Sequence, residues 1–130
     1  MTDLQYVPLE EFKRVRDLPV SAEVQTALFA TLCRINTLYS IKKAGSGHIG
    51  TSFSCMDMVC WLYLNELRNP ADQDGQGPTD IFFSSKGHDV PAVYSALIGL
   101  ELLDFDLIHS LRRIDGLPRH PDVSVPYMHT

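Results

Sequence analysis

The chain has only three cysteines and fewer basic than acidic residues, and it has no long apolar run, repeat or low-complexity tract. Each shortage narrows its function. The three cysteines, Cys33, Cys55 and Cys60, are an odd number and sit in helical patterns without zinc-ligand spacing to any histidine. Reduced, buried thiols in a cytoplasmic protein are the expectation. The longest apolar run, Val59 to Leu64, falls far below the roughly 20 residues a membrane-spanning helix needs. Met1-Thr2-Asp3-Leu4 has neither the basic start nor the apolar core of a secretory signal. A net charge of −5 argues against non-specific nucleic-acid binding. An anionic ligand would therefore need local help from Lys86, Arg112, Arg113 or backbone amides.

What is present is an ordinary globular composition. With 45% hydrophobic residues in 130, the chain can bury a core about one domain in size. Residues 1–20 read as an arm, with a short helix between Pro8 and Pro19. Ser21 is the expected N-cap of a long helix ending near Ala44. Along it Val24, Leu28, Leu32, Ile35, Leu38 and Ile41 recur at three- and four-residue steps. Gly45 stops that helix, and Lys42 and Lys43 suit its C-terminal dipole. Ser54 with Asp57 resembles a capping box opening a helix through Met58, Val59, Leu62, Tyr63 and Leu67. Ile81-Phe82-Phe83-Ser84 reads as a buried strand. Asp89 caps a helix over Ala92 to Leu103 with Pro91 in its first turn, and Asp104 caps another to about Ile114. A lone strand cannot satisfy its own backbone, so the expectation is the opening of a larger α/β domain with further strands beyond Thr130.

Two segments carry candidate chemistry. Gly45-Ser46-Gly47-His48-Ile49-Gly50 and Ser84-Ser85-Lys86-Gly87-His88 each place a histidine directly after glycine in a run of small residues. Glycine lets backbone approach a ligand closely, and histidine is suited to proton transfer near neutral pH. The first segment also matches a Gly-x-Gly-x-x-Gly dinucleotide pattern, but that fold needs a strand before the first glycine, and here a long helix precedes it. A helix–loop–helix turn without a ligand stays open for it, as does a polar strand-to-helix turn for the second. His120-Pro121-Asp122 is weaker by itself. His109, mid-helix between apolar neighbours, and His129, at a frayed end, read as structural or solvent-facing. Phe53, Trp61, Tyr63, Phe82, Phe83 and Tyr94 occupy core-like positions.

Taken in order, Ser46-Gly47-His48-Ile49-Gly50, Asp80-Ile81-Phe82-Phe83, Ser85-Lys86-Gly87-His88, Arg119-His120-Pro121-Asp122 and Thr130 resemble the amino-terminal part of transketolases. These thiamine-diphosphate enzymes move two-carbon ketol units between phosphorylated sugars. The agreement runs from about Leu28 to Thr130. Isoleucine after His48, where the family pattern has proline, is similar to the two-subunit transketolases. The resemblance implies an α/β fold: an incomplete N-terminal part of a thiamine-diphosphate-binding domain, mostly helical with one strand, over residues 21–130.

It also implies roles. His48 and His120 would be catalytic, His48 on substrate hydroxyls and His120 near the ketol oxygen. His88, Lys86 and Gly87 would bind the cofactor diphosphate. Carbon–carbon cleavage of a ketose needs a proton removed from a hydroxyl, which positioned imidazoles perform. The cofactors implied are thiamine diphosphate and Mg2+, with metal ligands outside this chain. The partners implied are phosphorylated sugars and a C-terminal, pyrimidine-domain half or subunit, in a homo- or hetero-oligomer without nucleic acid or membrane. Arg119 stands where the family pattern has glycine, and Thr79-Asp80 lacks an arginine often found there. The chain alone is expected to be inactive. The alternative is a helical interaction module, or truncated remnant, that binds no cofactor.

Overall fold

The computed structural model describes residues 5–45, 49–67, 82–83, 90–109, 111 and 128–129. Helix α1 spans Leu9–Arg16 and buries Phe12 and Val15. The segment read as an arm thus contributes to the same core as the longer helices. Helix α2 spans Ala22–Ala44. The Ser21 hydroxyl caps it by accepting from the Val24 N–H at 3.3 Å. Gly45 ends it at φ 82°, donating to the carbonyls of Ile41 and Lys42 at 2.9 and 3.2 Å. Only glycine takes that left-handed geometry without a steric cost.

The residues that mark α2 as a helix are largely not the ones it buries. Val24, Leu28, Ile35 and Leu38 are exposed, whereas Thr26, Phe29, Ala30, Cys33, Asn36, Thr37, Ser40 and Ile41 face inward. Four of these eight inward residues, Thr26, Asn36, Thr37 and Ser40, are polar, which suits a packed face only if their polar atoms are paired. Thr37 Oγ1 donates to Ser95 Oγ at 2.8 Å, and Ser40 Oγ to the Ile108 carbonyl at 3.0 Å. Asn36 accepts from the Val7 N–H at 2.6 Å and donates to the Val7 carbonyl at 3.0 Å, tying the N-terminal segment to α2.

Helix α3 spans Ile49–Trp61 and begins earlier than the capping-box reading allowed. Ser54 lies inside it and donates to the Gly50 carbonyl, while Asp57 is held by Arg34 of α2. The box is therefore not formed. A serine within a helix can bond back to the carbonyl four residues earlier, which removes it as a cap. A π-helical turn, Leu62–Glu66, follows, closed by the Leu67 N–H on the Leu62 carbonyl at 2.8 Å. It buries Tyr63 and sets Asn65 against Thr26, with Nδ2 3.0 Å from Oγ1.

Helix α4, Val90–Gly99, is buried all along its described side chains and packs against α2 and α3. A helix apolar on every side belongs at a centre. It stops at Gly99, short of the expected Leu103. The Leu102 N–H turns back to the Leu97 carbonyl at 2.9 Å, with Glu101 in the left-handed region at φ 66°. The next helix is likewise shorter than the sequence suggests: a 3₁₀ turn, Phe105–His109, with the Asp104 carboxylate accepting from the Asp106 N–H at 3.2 Å.

Of the lone buried strand expected over Ile81 to Ser84, Phe82–Phe83 is described as a strand and has a partner, while Ile81 and Ser84 lie outside the described residues. Phe82–Phe83 (β1) pairs in parallel with Met128–His129 (β2), Phe82 opposite Met128 and Phe83 opposite His129. His129, read as a frayed end, lies in that pairing, and the partner strand precedes Thr130 rather than following it. A parallel partner sits at the far end of a long crossover, so local pattern does not reveal it.

Candidate functional site

The two parallel strands run in one direction. The chain therefore leaves β1 toward Ser84 and β2 toward Thr130 at the same, carboxyl edge. In parallel sheets that edge is where ligands bind, because the loops leaving it converge there. α4 starts at Val90, so the Ser84–Asp89 segment joins this edge to the amino end of a buried helix.

The second flank is the connection between α2 and α3. Gly45 in its left-handed cap and Ile49 at the start of α3 bound it. Arg34 fixes the direction of α3 from the middle of α2. Its guanidinium donates to Asp57 Oδ2 at 2.7 Å and to the Phe53 carbonyl at 3.1 and 3.3 Å. The hydrogen bond to Asp57 is the first cause that raises the Arg34 pKa, with burial opposing it. Ser52, also on α3, is fully buried, and its hydroxyl has no hydrogen-bond partner among the described residues. Neither Arg34 nor Ser52 carries a motif; the Arg34 contacts span 19 and 23 residues and have no local signature.

His48, Lys86, Gly87, His88 and His120 lie outside the described residues, as do Arg119 and Thr130. The structure describes the elements on both sides of His48 and of the Lys86–His88 segment, but not the approach to His120. His109, read as mid-helix and structural or solvent-facing, ends the 3₁₀ turn and is tied into the fold: Nδ1 shares a hydrogen bond of 2.7 Å with the Tyr39 hydroxyl, and Tyr6 and Tyr39 meet its ring edge-on. All three cysteines are thiols, Cys33 and Cys60 buried and Cys55 half-buried. Burial, then a hydrogen bond with Cys60, pushes the Cys33 thiol well above its usual pKa.

The surface hollows include two lined by described residues. One of about 540 Å³ lies between the start of α2 and the end of α3, lined by Glu23, Thr26, Ala27, Asp57, Met58 and Trp61. One of about 360 Å³ is lined by Lys13, Arg16, Asp17 and Glu101. Neither contains a histidine. Among the described residues no group of His, Cys, Asp and Glu side chains is placed to hold a metal ion. No helix among them is long and apolar enough to cross a membrane.

Residues 25–127 match the family model described as transketolase, thiamine diphosphate binding domain. The chain belongs to this transketolase family. Among curated relatives, it is 32% identical over 87 residues to an apulose-4-phosphate transketolase subunit of Phocaeicola vulgatus, covering 66% of this chain and 31% of that protein. It is 34% identical over 95 residues to 6-deoxy-6-sulfo-D-fructose transketolase subunit SqwG of Clostridium sp., covering 72% of this chain and 34% of that protein. Transketolase-like protein 2 of Homo sapiens is 24% identical over 100 residues, which is 76% of this chain and 16% of that protein. This transketolase-family chain thus spans about a third of the length of the first two relatives. No solved structure matches it significantly.

Proposed function

We propose that this chain supplies the diphosphate-side wall of a two-subunit transketolase that transfers two-carbon ketol units between phosphorylated sugars. The observation that carries the reading is the family match over residues 25–127, joined by two relatives that are themselves named as transketolase subunits. Residues 21–130 belong to the diphosphate-binding domain, and a second subunit or chain segment brings the pyrimidine-binding domain.

The donor chemistry suits the cofactor. Lys86, Gly87 and His88 follow β1, whose parallel partner β2 leaves the sheet at the same edge. A cation, an imidazole and a glycine amide in that place fit a diphosphate. These residues hold thiamine diphosphate, with Mg2+ bound by ligands from outside this chain. When bound, the cofactor supplies the carbanion-stabilising chemistry of ketol transfer. His48 orients substrate hydroxyls and accepts a proton from one of them. His120 donates a hydrogen bond to the ketol oxygen. Arg34 contributes by fixing α3, which begins one residue after His48.

The test is ketol transfer by the chain combined with its pyrimidine-domain partner, thiamine diphosphate and magnesium. His48→Ala and His88→Ala each lower turnover by about a hundredfold, as loss of a positioned acid–base or oxyanion donor does. His88→Ala also weakens apparent cofactor affinity, while His48→Ala leaves it nearly unchanged. Arg119→Gly leaves activity intact. If His109→Ala harms turnover as much as His48→Ala in a folded enzyme, the site assignment is wrong.

A further inference from the structure

α3 and α4 run parallel to each other, and their amino ends lie at one end of the bundle. Contacts along α2 fix this. Arg34 meets Asp57 of α3, and Thr26 meets Asn65 in the π-helical turn that follows it, so α3 runs opposite to α2. Thr37 meets Ser95 of α4, and the tip of Phe29 closes the space beside Gly99, so α4 also runs opposite to α2. α3 and α4 pack on each other. Both therefore begin at the carboxyl end of α2, where Lys42 and Lys43 stand exposed. The first turn of each carries backbone N–H groups with no acceptor inside its helix, and parallel dipoles set their positive ends side by side. The first turns of α1 and α2 hold Glu10, Glu11 and Glu23, whereas α3 has no acidic side chain in its first turn. Asp89, next before α4 in the chain, lies outside the described residues.

Ser52 adds a second, independent observation at this end. It opens the buried stripe of α3 that continues through Met56, Val59 and Cys60, the face packed on α2 and α4. A helical side chain leans toward the amino end of its own helix, which aims this hydroxyl at the end shared with α4. Ser52 is 0% exposed, and its Oγ is the one buried side-chain oxygen or nitrogen without a hydrogen-bond partner among the described residues. The other hydroxyls nearby are engaged: Ser95 with Thr37, Ser40 with the Ile108 carbonyl, and Ser54 with the Gly50 carbonyl. A buried hydroxyl left unpaired costs stability, and native structures seldom keep one. We propose that Ser52 is a binding residue for a phosphoryl group seated at the amino end of α3, its hydroxyl donating to an oxygen that the first-turn N–H groups also hold. A phosphoryl group offers several acceptor oxygens and a charge that suits the helix end. The inference deepens the function proposed above and rests on it only for the source of that group, the cofactor diphosphate or a sugar phosphate.

The experiment is isothermal titration of the 130-residue chain with inorganic pyrophosphate and with glycerol 3-phosphate at fixed ionic strength, beside urea unfolding without ligand. At least one of the two binds. Ser52→Ala weakens the tighter one about tenfold, the loss of a charge-assisted hydrogen bond. Ser52→Cys keeps the shape but is a weak donor, and it weakens binding as much. The ligand-free urea midpoint of Ser52→Ala is unchanged or higher, because the hydroxyl has no partner to lose. Open space surrounds the missing β-carbon of Gly50, so Gly50→Asp sets a carboxylate in the first turn of α3 without a clash. It raises the ligand-free midpoint and weakens binding by at least about tenfold, since its charge occupies the helix end. Tighter binding of pyrophosphate assigns the position to a diphosphate, and tighter binding of glycerol 3-phosphate assigns it to a sugar phosphate. A chain that binds neither overturns the proposal. So does undiminished binding by Ser52→Ala, Ser52→Cys or Gly50→Asp. A lowered ligand-free midpoint for Ser52→Ala also overturns it, by showing the hydroxyl already paired. The effect of His88→Ala on cofactor affinity in the assembled enzyme tests the catalytic reading separately, so either can fail alone.

Discussion

Gly99 of α4 lies against Phe12 of α1 so closely that a β-carbon at residue 99 would fall 2.7 and 2.8 Å from two Phe12 ring carbons. It would also sit 3.0 Å from the tip of Phe29. Those two rings meet edge-to-face at 5.2 Å, and both are fully buried, so neither has room to turn away. Gly99→Ala is therefore an overpacking change, expected to destabilise the fold by about 1–3 kcal/mol. Urea unfolding checks it, and an unchanged midpoint would show that α1 shifts without cost.

Two residues end helices in the left-handed region, one suited to it and one not. Gly45 at φ 82° has open space around its missing β-carbon, so Gly45→Ala costs only backbone strain, about 1 kcal/mol. Glu101 at φ 66° carries that strain already, beside a 3.1 Å bond from its N–H to the Ile98 carbonyl and an exposed ion pair with Lys13 at 3.8 Å. Glu101→Gly is expected to raise the thermal midpoint and Gly45→Ala to lower it, read by calorimetry on the two variants side by side.

Arg34 joins α2 to α3 through Asp57 and the Phe53 carbonyl. Arg34→Ala removes the guanidinium from both, whereas Asp57→Asn leaves the carbonyl bond in place. Expected losses are about 1–2 kcal/mol for the first and under about 1 kcal/mol for the second, the ion pair being largely solvated on the Asp57 side. Equal losses in chemical denaturation would show that the carbonyl bond contributes nothing.

Alkali should weaken this fold before acid chemistry at these groups matters. Burial raises the Cys33 thiol well above its ordinary value of 9.0 and raises the Tyr63 phenol above 10.0. Both hold their protons more tightly folded than unfolded. Their contribution is complete below the unfolded values and is lost as pH rises past 9.0 and then 10.0 toward the folded ones. Urea midpoints should fall between about pH 8.5 and pH 10.5, and Tyr63→Phe should flatten the upper part of that fall. A Tyr63→Phe curve parallel to the unmodified chain would remove Tyr63 from the account.

The sequence by itself determined the punctuation and the family. Ser21 and Gly45 bound α2 because capping chemistry is local: a hydroxyl reaches three residues on, and a left-handed turn asks for glycine. The ordered glycine–histidine motifs were enough for the transketolase resemblance, which the match over residues 25–127 bears out. The roles of His48, Lys86, Gly87, His88 and His120 came from that resemblance alone, since those residues lie outside the described structure.

Only the tertiary structure decided which face of α2 is buried, where α3 begins and what pairs with Phe82–Phe83. Apolar side chains occur on both faces of α2, so spacing marks the helix without choosing a side. The choice follows from Thr37 meeting Ser95, Ser40 meeting the Ile108 carbonyl and Asn36 meeting Val7, each across a long stretch of chain. Ser54 and Asp57 have capping spacing, yet α3 already runs from Ile49, so Ser54 bonds back to the Gly50 carbonyl and Asp57 pairs with Arg34 of α2. The partner of β1 is set by a crossover from Phe83 to Met128, and no local window contains both ends of it.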